Sequence, residues 1–274
     1  QDNAQIKALK LGIELGMTLI DTAETYGDGH SEELVGKAAQ GIRDKVFIAT
    51  KFAPEHNGYK DVIESAARSL RRLGTDYIDL YQLHWTTPKV PLSETMRAME
   101  QLLNEGKIKH AGVCNLSLKE LKEAQSYITA DSIVSLQVEY NLFDRSVEEN
   151  ILPYCEQASI TTIAYSPLDQ GRIGSGDNKS TELQTIADKY NKTTAQITLN
   201  WLISHPTVIV IPKASSEQHV RENAGAADFQ LSDEDLNRIN QIFTSKYIFV
   251  PVDRIKVSTE GEGKRRAYQT VEDA

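Results

Sequence analysis

Asp21, Tyr26, Lys51 and His84 are the residues whose types and spacing can do chemistry together. The stretch Leu19-Ile20-Asp21-Thr22-Ala23-Glu24-Thr25-Tyr26-Gly27 follows a short apolar run, Met17 to Ile20, long enough to end a buried strand. It puts a carboxylate where that run meets water, and then a tyrosine in a loop closed by Gly27, Asp28 and Gly29. A tyrosine hydroxyl ionises near a pKa of about 10, too high for efficient proton exchange at neutral pH. A neighbouring ammonium stabilises the phenolate. Lys51 can supply that ammonium, Asp21 can hold it charged and oriented, and His84 can donate a hydrogen bond to the oxygen that Tyr26 protonates. The set is a tuned acid beside an oxyanion-type donor, suited to a carbonyl becoming an alcohol. It includes no obvious nucleophile–base pair for acyl transfer, so the electrons must come from a cofactor. Taken singly, Asp21 reads as a turn acid, Lys51 as a solvated charge, His84 as a hydrogen-bonded structural residue and Tyr26 as a half-buried aromatic. Their shared strand-end positions favour the joint reading.

The elements that must position them alternate. Apolar strand-like runs end at Asp21, Lys51, His84, Cys114, Gln137, Tyr165 and Pro212, and most are about 30 residues apart, the length of a strand–helix unit. Helical spacing is read between them over Ala4–Leu15, Ser31–Ala39, Lys60–Leu73, Leu92–Glu105, Ser117 to about Ala130, Val147–Gln157, Thr181–Tyr190, Thr194–His205, Ser215–Ala226 and Ser232–Phe243. Ser117 with Glu120 forms a capping-box pattern, and Ser215 with Gln218 a second. The arginines Arg68, Arg71 and Arg72 read as a solvated helix end, and residues 171–180 (GRIGSGDNKS) as a mobile loop. This alternation implies a parallel sheet. Seven strands preceded by a helix predict an α/β fold, a (β/α)8 TIM barrel lacking its first strand. The rival, a doubly wound sheet, usually carries a G-x-G-x-x-G fingerprint, which is missing here. The barrel is expected to occupy residues 1–244, with 245–274 as a C-terminal tail. In a (β/α) barrel the functional groups gather at the C-terminal strand ends, so the four residues can meet although 63 positions separate Asp21 from His84.

The chain of 274 residues has 40% hydrophobic content, enough for one large core, and a net charge of −9, which argues against nucleic acid as a partner. Its two cysteines, Cys114 and Cys155, show no paired spacing, so neither a disulfide framework nor a metal site is expected, and a reducing cytoplasm suits them. No apolar run approaches the length of a membrane span, about 20 residues. A second chemical signal is Val210-Ile211-Pro212-Lys213-Ala214-Ser215, where a strand end feeds Lys213 and Ser215 opens a helix. A helix N-terminus after the last barrel strand is a ready anion site. The plain alternative is a strand–helix connection with a solvated lysine.

Several of these stretches resemble the signatures of the aldo-keto reductase family. LIDTAETYG matches the segment around the family's aspartate and tyrosine, RSLRRLGTDYIDLYQLHW (68–85) the helix and strand that deliver its histidine, and IPKASSEQHVRENAGA (211–226) the segment that holds the adenosine phosphate. With GVCN, QVEYN and AYSPL, the resemblance runs from about residue 4 to residue 243. It implies hydride transfer between NADPH, or NADH, and an aldehyde, ketone or sugar, with Tyr26 as proton donor, Lys51 and Asp21 tuning it, and His84 orienting the carbonyl. It implies further that Asn115 and Gln137 bond the nicotinamide carboxamide and that Tyr165 stacks on the ring. Ser166 and Leu168 would meet the pyrophosphate, Lys213 and Ser215 the adenosine phosphate, and Glu222 and Asn223 the adenine. Trp85 would line the substrate pocket, with the loop after Tyr165 and the tail after Ser245 as its other walls; Trp201 reads as core.

Three departures from the family pattern stand out. The opening hairpin and first strand are absent, and we expect upstream residues in the native gene. Cys114 replaces a serine beside Asn115, weakening one amide contact. His219 stands where many members have an arginine that grips the 2′-phosphate, so Lys213 is left to favour NADPH. Two further readings remain. One is a cofactor-binding regulatory subunit of the same fold, like the auxiliary subunits of potassium channels. The other is a Schiff-base aldolase using Lys51, against which Asp21 argues by keeping the lysine charged.

Overall fold

The computed structural model describes residues 2–129, 133–174 and 178–244. Seven parallel strands lie side by side in chain order: β1 (Leu19–Asp21), β2 (Phe47–Phe52), β3 (Ile78–Leu83), β4 (Ile108–Cys114), β5 (Ile133–Glu139), β6 (Thr161–Tyr165) and β7 (Val208–Val210). Parallel neighbours joined by right-handed crossovers put every crossover helix on one face, so the sheet curls into a barrel wall. A doubly wound sheet would reverse its order at a switch point. The architecture is the expected (β/α)8 barrel short of one strand, and β1 and β7 do not pair with each other.

The helices are α1 (Asp2–Glu14), α2 (His30–Ala39), α3 (Tyr59–Leu73), α4 (Leu92–Asn104), α5 (Leu118–Ser126), α6 (Ile151–Gln157), α7 (Asn178–Tyr190), α8 (Thr194–Ile203), α9 (Glu217–Ala224) and α10 (Asp233–Phe243). On α3 the residues Val62, Ser65, Ala66, Ser69 and Leu73 form one buried face, spaced three and four apart as a helix requires, and Gly74 ends the helix at φ 64°. The Ser117–Glu120 capping box is formed as expected, and Ser232 Oγ accepts from the Asp235 amide at the start of α10.

Other boundaries moved. The cap of α9 is Ser216, which accepts from the His219 amide, not Ser215. The cap of α2 is Gly29 at φ 90°, two residues before Ser31, the expected cap. The helix expected to run to about Ala130 stops at Ser126, and Ala130 lies outside the described residues. The helix expected from Val147 splits into a 3-10 turn, Ser146–Glu148, and α6, whose Pro153 falls in the first turn, where no N–H is needed. The stretch read as a mobile loop includes the end of a 3-10 segment, Asp169–Gly174, and the start of α7, while 175–177 and the tail 245–274 lie outside the described residues.

Successive strand side chains point to opposite faces. One face packs Ile48, Phe52, Tyr81, Leu83, Val113, Leu136 and Ala164 into the main core under the helices. The other face holds a small apolar cluster, Ala49, Leu80 and Ile163. Two residues further along the same face come Lys51, Gln82 and Tyr165, so the period of two sends these polar groups to the barrel mouth. No helix among the described residues is long and apolar enough to cross a membrane.

Candidate active site

The ends of β1 and β2 deliver the first pair. Lys51, fully buried on β2, donates from Nζ to Asp21 Oδ2 at 2.5 Å and to the Thr22 carbonyl at 3.0 Å. Register pairs Asp21 with Ala49 on β2, so Lys51, two residues further along the same face, stands one pleat beyond the end of β1. Asp21 Oδ1 accepts from Gln137 Nε2 at 2.8 Å and from Gln82 Nε2 at 3.4 Å. Burial pushes the Lys51 ammonium down, but the Asp21 carboxylate, with Cys114 and Tyr26 behind it, outweighs burial and raises its pKa. The lysine is therefore a fixed positive charge and not a neutral amine nucleophile.

Tyr26 stands above this pair. The Lys51 ammonium lies 5.1 Å from the centroid of its ring. His84, one residue past β3, meets the ring edge-on, with centroids 6.0 Å apart at 82°. Tyr26, at 42%, and Trp85, the residue after His84, at 47%, are among the large exposed apolar side chains of the described residues. Burial, and then the Lys51 charge, lower the pKa of His84 despite Asp21. Among the described residues its buried Nδ1 has no hydrogen-bond partner. A lone pair left without a donor costs less than an N–H left without an acceptor, which favours the tautomer with its proton on Nε2, where it can be donated. All four residues singled out for chemistry thus come together at one rim.

The cofactor residues fall into two groups. Around the mouth, Asn115 (φ 59°) donates from Nδ2 to the His84 carbonyl at 3.2 Å and accepts from the Tyr165 hydroxyl at 3.0 Å. Each amide nitrogen of Asn115 and Gln137 keeps a second hydrogen for a ligand. Ser166 (φ 48°) accepts at its carbonyl from Asn141 Nδ2 at 3.2 Å, and the Leu168 carbonyl accepts from the Gly171 amide. Further along, Lys213, Ser215 and His219 are exposed, and among the described residues the Lys213 ammonium makes no side-chain hydrogen bond or ion pair. Glu222 is part-buried and accepts from Thr193 Oγ1, which caps α8; Asn223 is half-buried beside it. Amides and an aromatic ring at one end, and a cation beside a helix N-terminus at the other, fit a nicotinamide dinucleotide phosphate. Cys114, fully buried, has its thiol near Gln82 Oε1 at 3.8 Å, and burial pushes its pKa up.

Sequence reasoning missed several groups. Gln82 is a polar residue inside the otherwise apolar strand IDLYQL, two before His84, and that spacing could have flagged it. Gly112 gives it room, since a Cβ there would lie 2.9 Å from Gln82 Cγ and 2.5 Å from Ser135 Oγ. The arginines read as a solvated helix end are, for Arg68 and Arg72, only 32% and 21% exposed and bonded to acids. Arg72 pairs with buried Glu32 at 2.6 Å, and both reach Glu24.

A model of the aldo/keto reductase family matches residues 1–243. The chain belongs to this family. It is 41% identical over 244 residues to a methylglyoxal reductase of Escherichia coli, covering 89% of this chain and 86% of that protein. It is 36% identical to a glyoxal reductase of Bacillus subtilis, over 88% and 84% of the two chains. Among solved structures, an aldo/keto reductase from Klebsiella pneumoniae in complex with NADP and acetate superposes with a TM-score of 0.83 at 41% identity, covering 88% of this chain and 86% of that one. As a member of the family this protein is an oxidoreductase.

Proposed function

We propose that this aldo-keto reductase reduces small aldehydes and ketones, 2-oxoaldehydes among them, with NADPH as hydride source and Tyr26 as the acid. The observation that carries the reading is the Asp21–Lys51 pair lying under the Tyr26 ring with His84 against its edge. His84 Nε2–H donates to the substrate carbonyl oxygen and orients it. Tyr26 gives its hydroxyl proton to that same oxygen as it becomes an alcohol. Lys51, held charged by Asp21, stabilises the phenolate that remains. When bound, NADPH supplies the hydride. Asn115 and Gln137 hold its carboxamide, Tyr165 stacks on its ring, and Ser166 and Leu168 meet its pyrophosphate. Lys213 and Ser215 bind the adenosine phosphate near His219, and Glu222 and Asn223 the adenine. Trp85 borders the substrate. Names of relatives that act on methylglyoxal and glyoxal support the substrate class, and two buried, unpaired cysteines support a cytoplasmic location.

The test is a fluorescence titration with NADPH and NADH, followed by a carbonyl panel with the tighter one. The expected result is preference for NADPH and turnover of small aldehydes. Tight NADPH binding without turnover of any carbonyl would instead identify a regulatory subunit of this fold.

A further inference from the structure

A charged network lies behind the acid and outside the barrel mouth. Parallel pairing between β1 and β2 continues past β1: the Thr22 amide donates to the Ala49 carbonyl at 2.9 Å and the Glu24 amide to the Lys51 carbonyl at 3.0 Å. There the backbone leaves the ladder, because residues 23–26 close a turn with the Tyr26 amide donating to the Ala23 carbonyl at 3.1 Å. The next donor on β2's course, the Ala53 amide, would be orphaned. Instead it donates to Glu24 Oε1 at 2.7 Å, and His56 Nδ1 meets the same oxygen at 2.7 Å. The other oxygen faces Arg68 at 3.5 Å and Arg72 at 3.8 Å. Arg72 also holds Glu32, which accepts from Thr50 Oγ1 at 2.6 Å, beside Lys51. The Arg72 stem packs under the loop after Tyr26, where a Cβ on Gly29 would meet its Cδ at 2.5 Å. The loop that carries Tyr26 is thus gripped on both sides.

We infer that Glu24 is a positioning residue for this reaction: its carboxylate stands in for the next rung of the β1–β2 ladder and holds the Tyr26 turn over the strand that carries Lys51. The inference rests on the reading of Tyr26 as the acid. A buried ionic network gains little stability over an apolar cluster of the same size, and its better-attested value is one fixed geometry. Glu24 is 8% exposed and Glu32 fully buried, so both are held in place by these partners. The groups facing Tyr26 itself are Lys51 and His84, with Asp21 behind the lysine and Tyr165 across the mouth. Loosening the turn draws the phenol away from the ammonium, which makes ionising it harder.

The experiment compares wild type, Glu24→Gln, Glu24→Ala and Tyr26→Phe in three measurements: kcat for alcohol oxidation against pH, the NADPH Kd, and tyrosinate absorbance on alkaline titration of the ligand-free protein, with Tyr26→Phe as the blank. Expected are a loss of about tenfold in kcat for Glu24→Ala and a smaller loss for Glu24→Gln, which keeps an acceptor for the Ala53 amide. The rising limb of the oxidation profile, which follows Tyr26 ionisation, and the Tyr26 titration should both move to higher pH, with the NADPH Kd unchanged. A purely structural role would lower the active fraction and leave the midpoint in place. A folded Glu24→Ala with wild-type kcat and midpoint overturns the inference. If Glu24→Ala does not fold, a wild-type kcat and midpoint in Glu24→Gln overturn it. Retained turnover in Tyr26→Phe would overturn the acid reading instead, which keeps the two failures distinct.

Discussion

The rim over β1–β3 and the segment from β7 to α9 both take part in the proposed reaction, and they are built in opposite ways. At the rim, Lys51, Gln82 and Gln137 are buried, the Asp21 side chain is only 8% exposed, and all four are already bonded through that carboxylate. After β7, Lys213, Ser215 and His219 stand exposed. The first region is preorganised by the chain, as electrostatic catalysis requires. The second, in the proposed function, is completed by its ligand. A change at the rim should therefore alter chemistry and stability together, and a change after β7 affinity alone.

The largest effect that would sharpen this contrast is in Tyr26→Phe, expected to lose about 10²–10⁴-fold in steady-state aldehyde reduction while NADPH binding holds. Next is Lys51→Met. It leaves the Asp21 carboxylate buried without its cation, at an expected cost of about 3–5 kcal/mol by denaturant unfolding. The double variant Asp21→Asn/Lys51→Met should recover part of that loss; equal stability of single variant and wild type would break the comparison. Lys213→Ala should weaken NADPH about tenfold, close to 1.4 kcal/mol, while NADH binding and melting temperature stay within error. A drop in melting temperature there would show that the segment is structural.

The smallest effect concerns pH. His84 has a folded pKa below its ordinary value, so the unfolded chain binds more protons as pH falls. Its contribution to stability is present above the ordinary imidazole range, near about 6.5, and is lost as pH falls below it. His84→Gln should flatten stability across that window. An unchanged slope would mean that another group sets it.

The rim was legible from sequence because strand ends leave a plain signal: an apolar run, then one polar residue of the right type. Asp21, Lys51 and His84 each carry it. The period of two could have placed Gln82 at the mouth, but it was missed, because a glutamine inside a strand has no motif of its own. The Glu24–Arg72–Glu32 network was hidden for a different reason. Arg68, Arg71 and Arg72 look like any basic helix end, and only the fold brings the acids from β1's turn and α2 against two of them. The shift of the α9 cap from Ser215 to Ser216 shows the limit of spacing alone, since adjacent serines offer the same hydroxyl and backbone geometry chooses between them.

The central claim is that a lysine-supported phenol donates the proton. Its most direct measurement is single-turnover hydride transfer from prebound NADPH to a small aldehyde, followed across pH in wild type and Tyr26→Phe. The account predicts a wild-type rate that falls along one alkaline limb, and a variant slower by at least about 100-fold in which that limb has vanished. A variant that keeps the wild-type rate, or the same limb, would contradict it.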